Sequence, residues 1–275
     1  MGFEGFEHLH VTVSGDGRVV TLRLDHGKAN EMGSAQLSEL ERLTTALADS
    51  DAVALITHST KRSSRGTPIF VAGANVTERV GWSDDQVKAH VRWQRSVLAA
   101  LRQAPVFHLV VVEGVALGWG TEYLLVGDYR IATPVASFAL PETGLGILPG
   151  AGGTGELWAQ IGAPQALRLG MTGERIDADE ACRIGLIQEV CADADAAMER
   201  ARVLAQLVAR RSPTALAAFK KAVIASVGLG ADKRTEGEAR AYEHCVDTGQ
   251  AAIGREHFAA IRQGEVPPWG QRKLP

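Results

Sequence analysis

What this 275-residue chain lacks narrows its function first. It has only three cysteines, Cys182, Cys191 and Cys245, with no CxxC pair and an odd one left over. That excludes a disulfide framework and suits reduced thiols in a cytoplasmic protein. No apolar run approaches the ~20 residues of a membrane span. The opening Met1-Gly-Phe-Glu-Gly-Phe has neither the basic nor the apolar region of a secretory leader, so the sequon Asn75-Val76-Thr77 is read as chance. There is no basic tract: Lys61-Arg62, Arg210-Arg211 and Lys220-Lys221 are only pairs, and the net charge is -3. Neither nucleic acid nor a membrane is therefore an expected partner. GxxxxGK[ST], HExxH and GxSxG are also absent, which removes the phosphate-loop, zincin and serine-hydrolase signatures.

What is present reads as α/β in the first half and helical after about residue 150. His8–Val13 and Arg18–Leu24 flank the turn Ser14-Gly-Asp-Gly17 and predict a hairpin. Ser34 is a candidate N-cap before leucines at 37, 40, 43 and 47, one face of an amphipathic helix. Ala52–His58 and Pro68–Val71 read as short buried strands. Ser83-Asp-Asp-Gln86 has the form of a capping box and opens a helix that Pro105 ends. Phe107–Val112 and Tyr129–Ala132 read as strands around a short apolar helix in Gly118–Val126. This alternation argues for parallel pairing. Beyond residue 150, helices are expected over Ala163–Met171, Asp177–Ile184, Asp193–Arg210, Pro213–Val227, Thr235–Thr248 and Ala251–Gln263. Leu186–Val190 is the single later strand, and the Pro-rich tail is expected to pack by Trp269.

The chemistry centres on two glutamates, Glu122 and Glu142. Each sits in glycine-rich, apolar sequence: Gly118-Trp-Gly-Thr-Glu122 and Pro141-Glu-Thr-Gly-Leu-Gly146. Taken singly, either is an exposed helix-start or loop glutamate. Both lie in the least charged part of the chain, and two carboxylates facing one cavity make an acid/base pair. Phe70-Val-Ala-Gly-Ala-Asn75 and Gly118-Trp119-Gly120 each read as a strand running into a glycine turn. Glycine frees the backbone, so the Ala74 N–H can point at a ligand, and two such turns could supply two backbone donors to one developing oxyanion. Gly150-Ala-Gly-Gly-Thr-Gly155 has GxGxxG spacing, but Pro149 precedes it where a dinucleotide fold needs a strand, so it reads as a turn into a helix. His8 and His10 alternate without a third metal ligand and are read as strand positions. His108 is read as a satisfied core histidine, and His244 and His257 as surface residues.

Several segments together resemble the crotonase (enoyl-CoA hydratase/isomerase) superfamily over nearly the whole chain. They are Lys28-Ala-Asn30, Phe70–Asn75, Glu113-Gly-Val-Ala-Leu-Gly118, Asp128–Ala132, Phe138–Glu142, Gly144–Thr154, Leu169–Gly173 and Ala178–Ala181. Phe138–Thr154 looks closest to enoyl-CoA hydratases and to the hydratase part of fatty-acid oxidation multienzymes. The resemblance implies an α/β spiral of ββα units over residues 1–200, with a helical trimerisation region over 201–275. A homotrimer or homohexamer is expected. It also implies an acyl-CoA substrate, with coenzyme A present only as part of that substrate and no other cofactor or metal. Glu122 and Glu142 would be catalytic. Ala74 and Trp119 N–H would form the oxyanion hole, and Ala29, Ala72, Gly73, Asn75 and Gly118 would bind substrate. Two positions depart from the family's hydratases. Trp119 stands where three consecutive glycines are usual, so its indole is expected either to fill part of the acyl pocket or to need a different backbone. Asn75 and Thr77 replace an aspartate and a basic residue.

Overall fold

The computed structural model describes residues 2–275. The hairpin forms as β1 (His10–Val13) and β2 (Val19–Leu24), paired antiparallel. Helix α1 (Ser34–Asp49) follows, starting at Ser34 itself and burying Leu37, Leu40, Leu43 and Leu47. The chain then alternates between two sheets. β3 (Ala54–Ser59) joins β2 in the first sheet, and β4 (Ile69–Val71) starts the second. Helix α2 (Asp84–Gln103) is capped by the Ser83–Gln86 box and leads to β5 (Phe107–Val112) in the first sheet and β6 (Val115–Leu117) in the second. The short α3 (Trp119–Leu124) leads to β7 (Tyr129–Ala132) in the first sheet and β8 (Ser137–Ala139) in the second. Each turn of this spiral thus adds one strand to each sheet and one helix.

The strand faces explain the layers. In β3 and β5 alternate residues point to opposite sides. Leu55, Val110 and Val112 face the second sheet, where Phe70, Ala116 and Phe138 meet them in one core. Ala54, Ile56, Leu109 and Val111 face outward and are covered by Ala197, Ala201 and Ala205. Those alanines lie on α7 (Ala194–Ala209), and their small side chains let the helix sit close to the sheet.

Between the spiral and α7 come α4 (Gly153–Ile161), α5 (Ala163–Thr172), β9 (Ile176–Asp177), α6 (Ala178–Arg183) and β10 (Glu189–Val190). The strand expected over Leu186–Val190 shrinks to its last two residues, because Leu186 and Ile187 N–H both turn back to Ala181 O and close α6. After α7 the chain is helical: α8 (Pro213–Ser226), α9 (Ala231–Asp247), α10 (Gln250–Glu256) and α11 (Phe258–Arg262). The single helix expected over Ala251–Gln263 is therefore two, broken at His257. Trp269, Arg272 and Lys273 tie the tail down, Lys273 Nζ donating to Thr248 O at 3.0 Å. Trp269 Nε1 donates to Arg210 O, and Arg272 donates to the carbonyls of Leu47, Ala48, Ala52 and Pro105. Arg272 thereby caps the carboxyl end of α1. No helix among the described residues is long and apolar enough to cross a membrane.

Candidate active site

Strands β4, β6 and β8 are parallel, so their carboxyl ends lie on one edge of the second sheet. The three segments that leave this edge are Ala72-Gly73-Ala74, Gly118-Trp119 and Leu140-Pro141-Glu142. They border one cavity of about 830 Å³, which also takes in Glu122. The carboxyl edge of parallel strands is where α/β sheets place ligands, because the loops diverge there. Thr121 holds the arrangement together: its hydroxyl bridges Ala116 O at 2.8 Å and Ala139 O at 2.9 Å, linking the ends of β6 and β8.

Glu122, on α3, is 3% exposed. Its Oε1 accepts the N–H groups of Ala151 and Gly153, both at 2.8 Å. The Gly150–Gly155 segment is therefore a turn into α4, as its sequence suggests, and also a cradle for this carboxylate. Its sequence signal was the glycine run, but pairing with Glu122 needs a contact 29 to 31 residues long. Burial pushes the Glu122 carboxyl up to about 7, the negative charge of Glu142 adds to the rise, and the two N–H groups and Arg95 oppose it. Glu142 lies in the 3-10 turn Pro141–Leu145. Burial raises its carboxyl too, and its Oε2 is buried without a hydrogen-bond partner.

Gly118 connects the two. Its backbone has φ +51°, and a Cβ there would lie 2.5 Å from Glu142 Oε1. Only glycine allows both that conformation and that approach. Ala74 and Trp119 line the same cavity, and no backbone acceptor is found for their N–H groups among the described residues. The Trp119 indole is buried, 2% exposed, with its ring 5.5 Å from that of Tyr123. Trp119 thus belongs to the core cluster and also lines the cavity, and its Nε1 has no hydrogen-bond partner among the described residues.

Of the other expected substrate-binding residues, Ala72, Gly73 and Gly118 line the cavity, whereas Ala29 and Asn75 do not. Ala29 O accepts Ala72 N–H at 3.1 Å and so supports the wall from behind. Asn75 Oδ1 is occupied by the Thr77 N–H and hydroxyl, capping the 3-10 turn Val76–Arg79. Asn30 has a larger structural part than the sequence suggested. Buried at φ +54°, it donates to Ser59 Oγ and Phe70 O and accepts His26 N–H. Helix α2 turns its amino-terminal half, with Val87, Val91 and Gln94, to the cavity. Its carboxyl-terminal half, Val97 to Leu101, faces the core.

The histidines stand apart from this chemistry. His108 is a neutral core residue with its pKa depressed to about 3, chiefly by burial, and Nε2 bonded to Thr57 Oγ1 at 2.8 Å. Its Nδ1 has no partner among the described residues, so it is only half satisfied. His8 lies just before β1 rather than on it, edge-on to His26. His244 and His257 are half-buried, the first in α9 and the second between α10 and α11.

Comparison with known proteins gives one consistent result. The family model described as enoyl-CoA hydratase/isomerase matches residues 19–272. YngF of Bacillus subtilis (strain 168), whose name places it among enoyl-CoA hydratase/isomerases, is 38% identical over 200 residues, 72% of this chain and 76% of its own. The crystal structure of an enoyl-CoA hydratase from Bacillus anthracis superposes with a TM-score of 0.85 at 31% identity, covering 95% of this chain and 98% of that one. Pseudomonas aeruginosa DspI gives the same TM-score at 30% identity, covering 98% of both chains.

Proposed function

This chain belongs to the enoyl-CoA hydratase/isomerase family, and on that premise we propose that it is a lyase adding water across the 2,3 double bond of an acyl-CoA thioester. The observation that carries the reading is the pair of carboxylates on one cavity, with Glu122 poised near neutrality beside a second carboxyl that is also raised. A base whose pKa lies near the working pH is both available and strong enough to take a proton.

The thioester oxygen accepts the N–H groups of Ala74 and Trp119, which stabilise the enolate as charge moves onto it. Ionised Glu122 takes a proton from water as the water oxygen bonds to the β-carbon. The carbon–carbon π electrons shift to the enolate. Protonated Glu142 then gives its proton to the α-carbon as the thioester carbonyl re-forms. Proton return from Glu122 to Glu142, directly or through solvent, closes the cycle, and the net change is one water added. The two N–H groups on Glu122 Oε1 fix the carboxylate's rotation and leave its other oxygen for water. The packing of the Trp119 ring against Tyr123 supports this reading, because the bulky side chain has a place beside that ring.

Hydration of crotonyl-CoA and longer 2-enoyl-CoAs tests the reading, with Glu122→Gln and Glu142→Gln as controls. Full activity in either variant contradicts the assigned roles. The helical region 201–275 is the proposed assembly surface for a trimer or a pair of trimers. Phe219, Tyr242 and Phe258 are large apolar side chains exposed there, and light scattering would measure the assembled mass.

A further inference from the structure

Three residues that line the cavity, Gln94, Arg79 and Trp119, each carry a buried nitrogen donor with no acceptor among the described residues. Gln94, on α2, is 3% exposed and its Nε2 makes no hydrogen bond. Arg79, at the end of the 3-10 turn Val76–Arg79, is half-buried, and its Nε is buried and unpartnered. Both side chains line the cavity that holds Glu122 and Glu142. They also touch each other, Arg79 Nη2 donating to Gln94 Oε1 at 3.5 Å. That contact orients the amide, because the flipped amide would set donor against donor.

Arg79 has no ion-pair partner among the described residues. The neighbouring Glu78 gives Oε2 to the Ser34 N–H, and its Oε1 lies 3.6 Å from His90 Nε2. The other cations on the cavity, Lys88, Arg92 and Arg95, are exposed at its rim, open to water or to any phosphate-bearing ligand. Arg79 and Gln94 differ from them in being set into the wall beside Val76, Val87 and Val91. Buried donors are rarely left unpaired, and a guanidinium among apolar side chains calls for an anion.

We propose that Arg79 and Gln94 bind a carboxylate on the distal part of the acyl chain, so that the preferred substrate is a carboxylated 2-enoyl-CoA rather than a plain alkyl one. The proposal rests on the reading of this cavity as an acyl-CoA site. A guanidinium with an adjacent amide presents a fork of N–H donors that a planar carboxylate matches. A methyl-ended chain leaves those buried donors unpaired, and a site built to hydrogen-bond its substrate rejects the analogue lacking the group.

The test compares kcat/KM for a 2-enoyl-CoA ending in a carboxylate with its methyl ester and with the methyl-ended chain of equal length. Wild type is expected to favour the carboxylate on the order of 10–100-fold, the effect of charge-assisted hydrogen bonds. Arg79→Met should erase the preference and Gln94→Leu should reduce it. Equal kcat/KM for the three substrates in wild type overturns the proposal, and this comparison needs no variant to fold. An Arg79→Met variant that weakens free CoA and all three acyl-CoAs by one factor also overturns it, because the side chain would then hold a phosphate. Calorimetric binding of the saturated carboxylated acyl-CoA and its methyl-ended counterpart separates the two readings. A carboxylate preference in binding without hydration of any substrate supports the pocket and rejects hydration. Hydration without any preference rejects the pocket and supports hydration.

Discussion

Gly153 N–H donates to Glu122 Oε1 at 2.8 Å across 31 residues of sequence. The approach depends on the absence of a side chain, because a Cβ on Gly153 would lie 2.6 Å from Pro149 Cβ and 3.0 Å from Glu122 Oε1. The contact joins the helix that leaves β6 to the turn that opens α4, and it sets which carboxylate oxygen is held and which is free.

Gly153→Ala should therefore damage the site without changing either glutamate. The turn must retreat, Glu122 loses an N–H that lowers its pKa, and its carboxyl rises further. The expected result is a fall in kcat/KM at neutral pH of about tenfold or more, the scale of one charge-assisted hydrogen bond. The acid limb of the pH profile should also move to higher pH. A profile superimposable on wild type would contradict the role of this contact.

With Glu122 near 7 and in the proposed role of base, activity should fall as pH drops below neutrality, because its carboxyl is then protonated. It also predicts an effect on stability. A carboxyl raised above its unfolded value binds its proton more tightly when folded, so stability is lost as pH rises from about 4.5 through about 7. Glu122→Gln removes that penalty. It should gain stability relative to wild type by about 1–3 kcal/mol above pH 7 and little at pH 5, in denaturant titrations at both values.

Gly118→Ala should be more severe for turnover than for substrate binding. The added methyl meets the Glu142 carboxylate, and the positive φ is strained, so both Glu142 and the neighbouring Trp119 N–H shift. Loss of one oxyanion donor costs ~10²–10³ in kcat. Single-turnover kinetics beside acyl-CoA binding would show whether the loss lies in kcat.

Asn30→Ala removes a buried side chain that links Ser59, Phe70 and His26 and leaves alanine at a left-handed position. A loss of roughly 2–4 kcal/mol is expected, the sum of unpaired buried groups and backbone strain. Urea titration measures it. Asn30→Gly relieves only the strain and should recover only part of the loss.

Arg272→Ala leaves the last carbonyls of α1 without their cap. It should lower stability by roughly 1–3 kcal/mol and open the tail to carboxypeptidase, while activity per folded molecule is kept. Resistance equal to wild type would mean that the other tail contacts, from Trp269 and from Lys273 to Thr214 and Thr248, anchor it without Arg272.

Much of this protein was legible in its sequence, because period and punctuation are local. The leucines of α1, the Ser83–Gln86 box and the β-branched run of β5 each announced their element within a dozen residues. The family segments brought the α/β spiral, Glu122, Glu142 and the two glycine turns into view together. Strand β8 went unread and β6 was seen only as the strand leading into the Gly118 turn, because three residues are too few for an alternating pattern to show. The break at His257 was hidden because apolar spacing continues across it. Tertiary structure alone decided where the Trp119 ring lies, since that depends on the space beside Tyr123. It also decided that Ala151 and Gly153 hold Glu122, and that Arg79 and Gln94 stand unpaired on the cavity wall. Each of these depends on distances between segments far apart in the chain, and on burial that strengthens a charge or leaves a donor without water. Sequence states which groups exist, and folding sets what surrounds them.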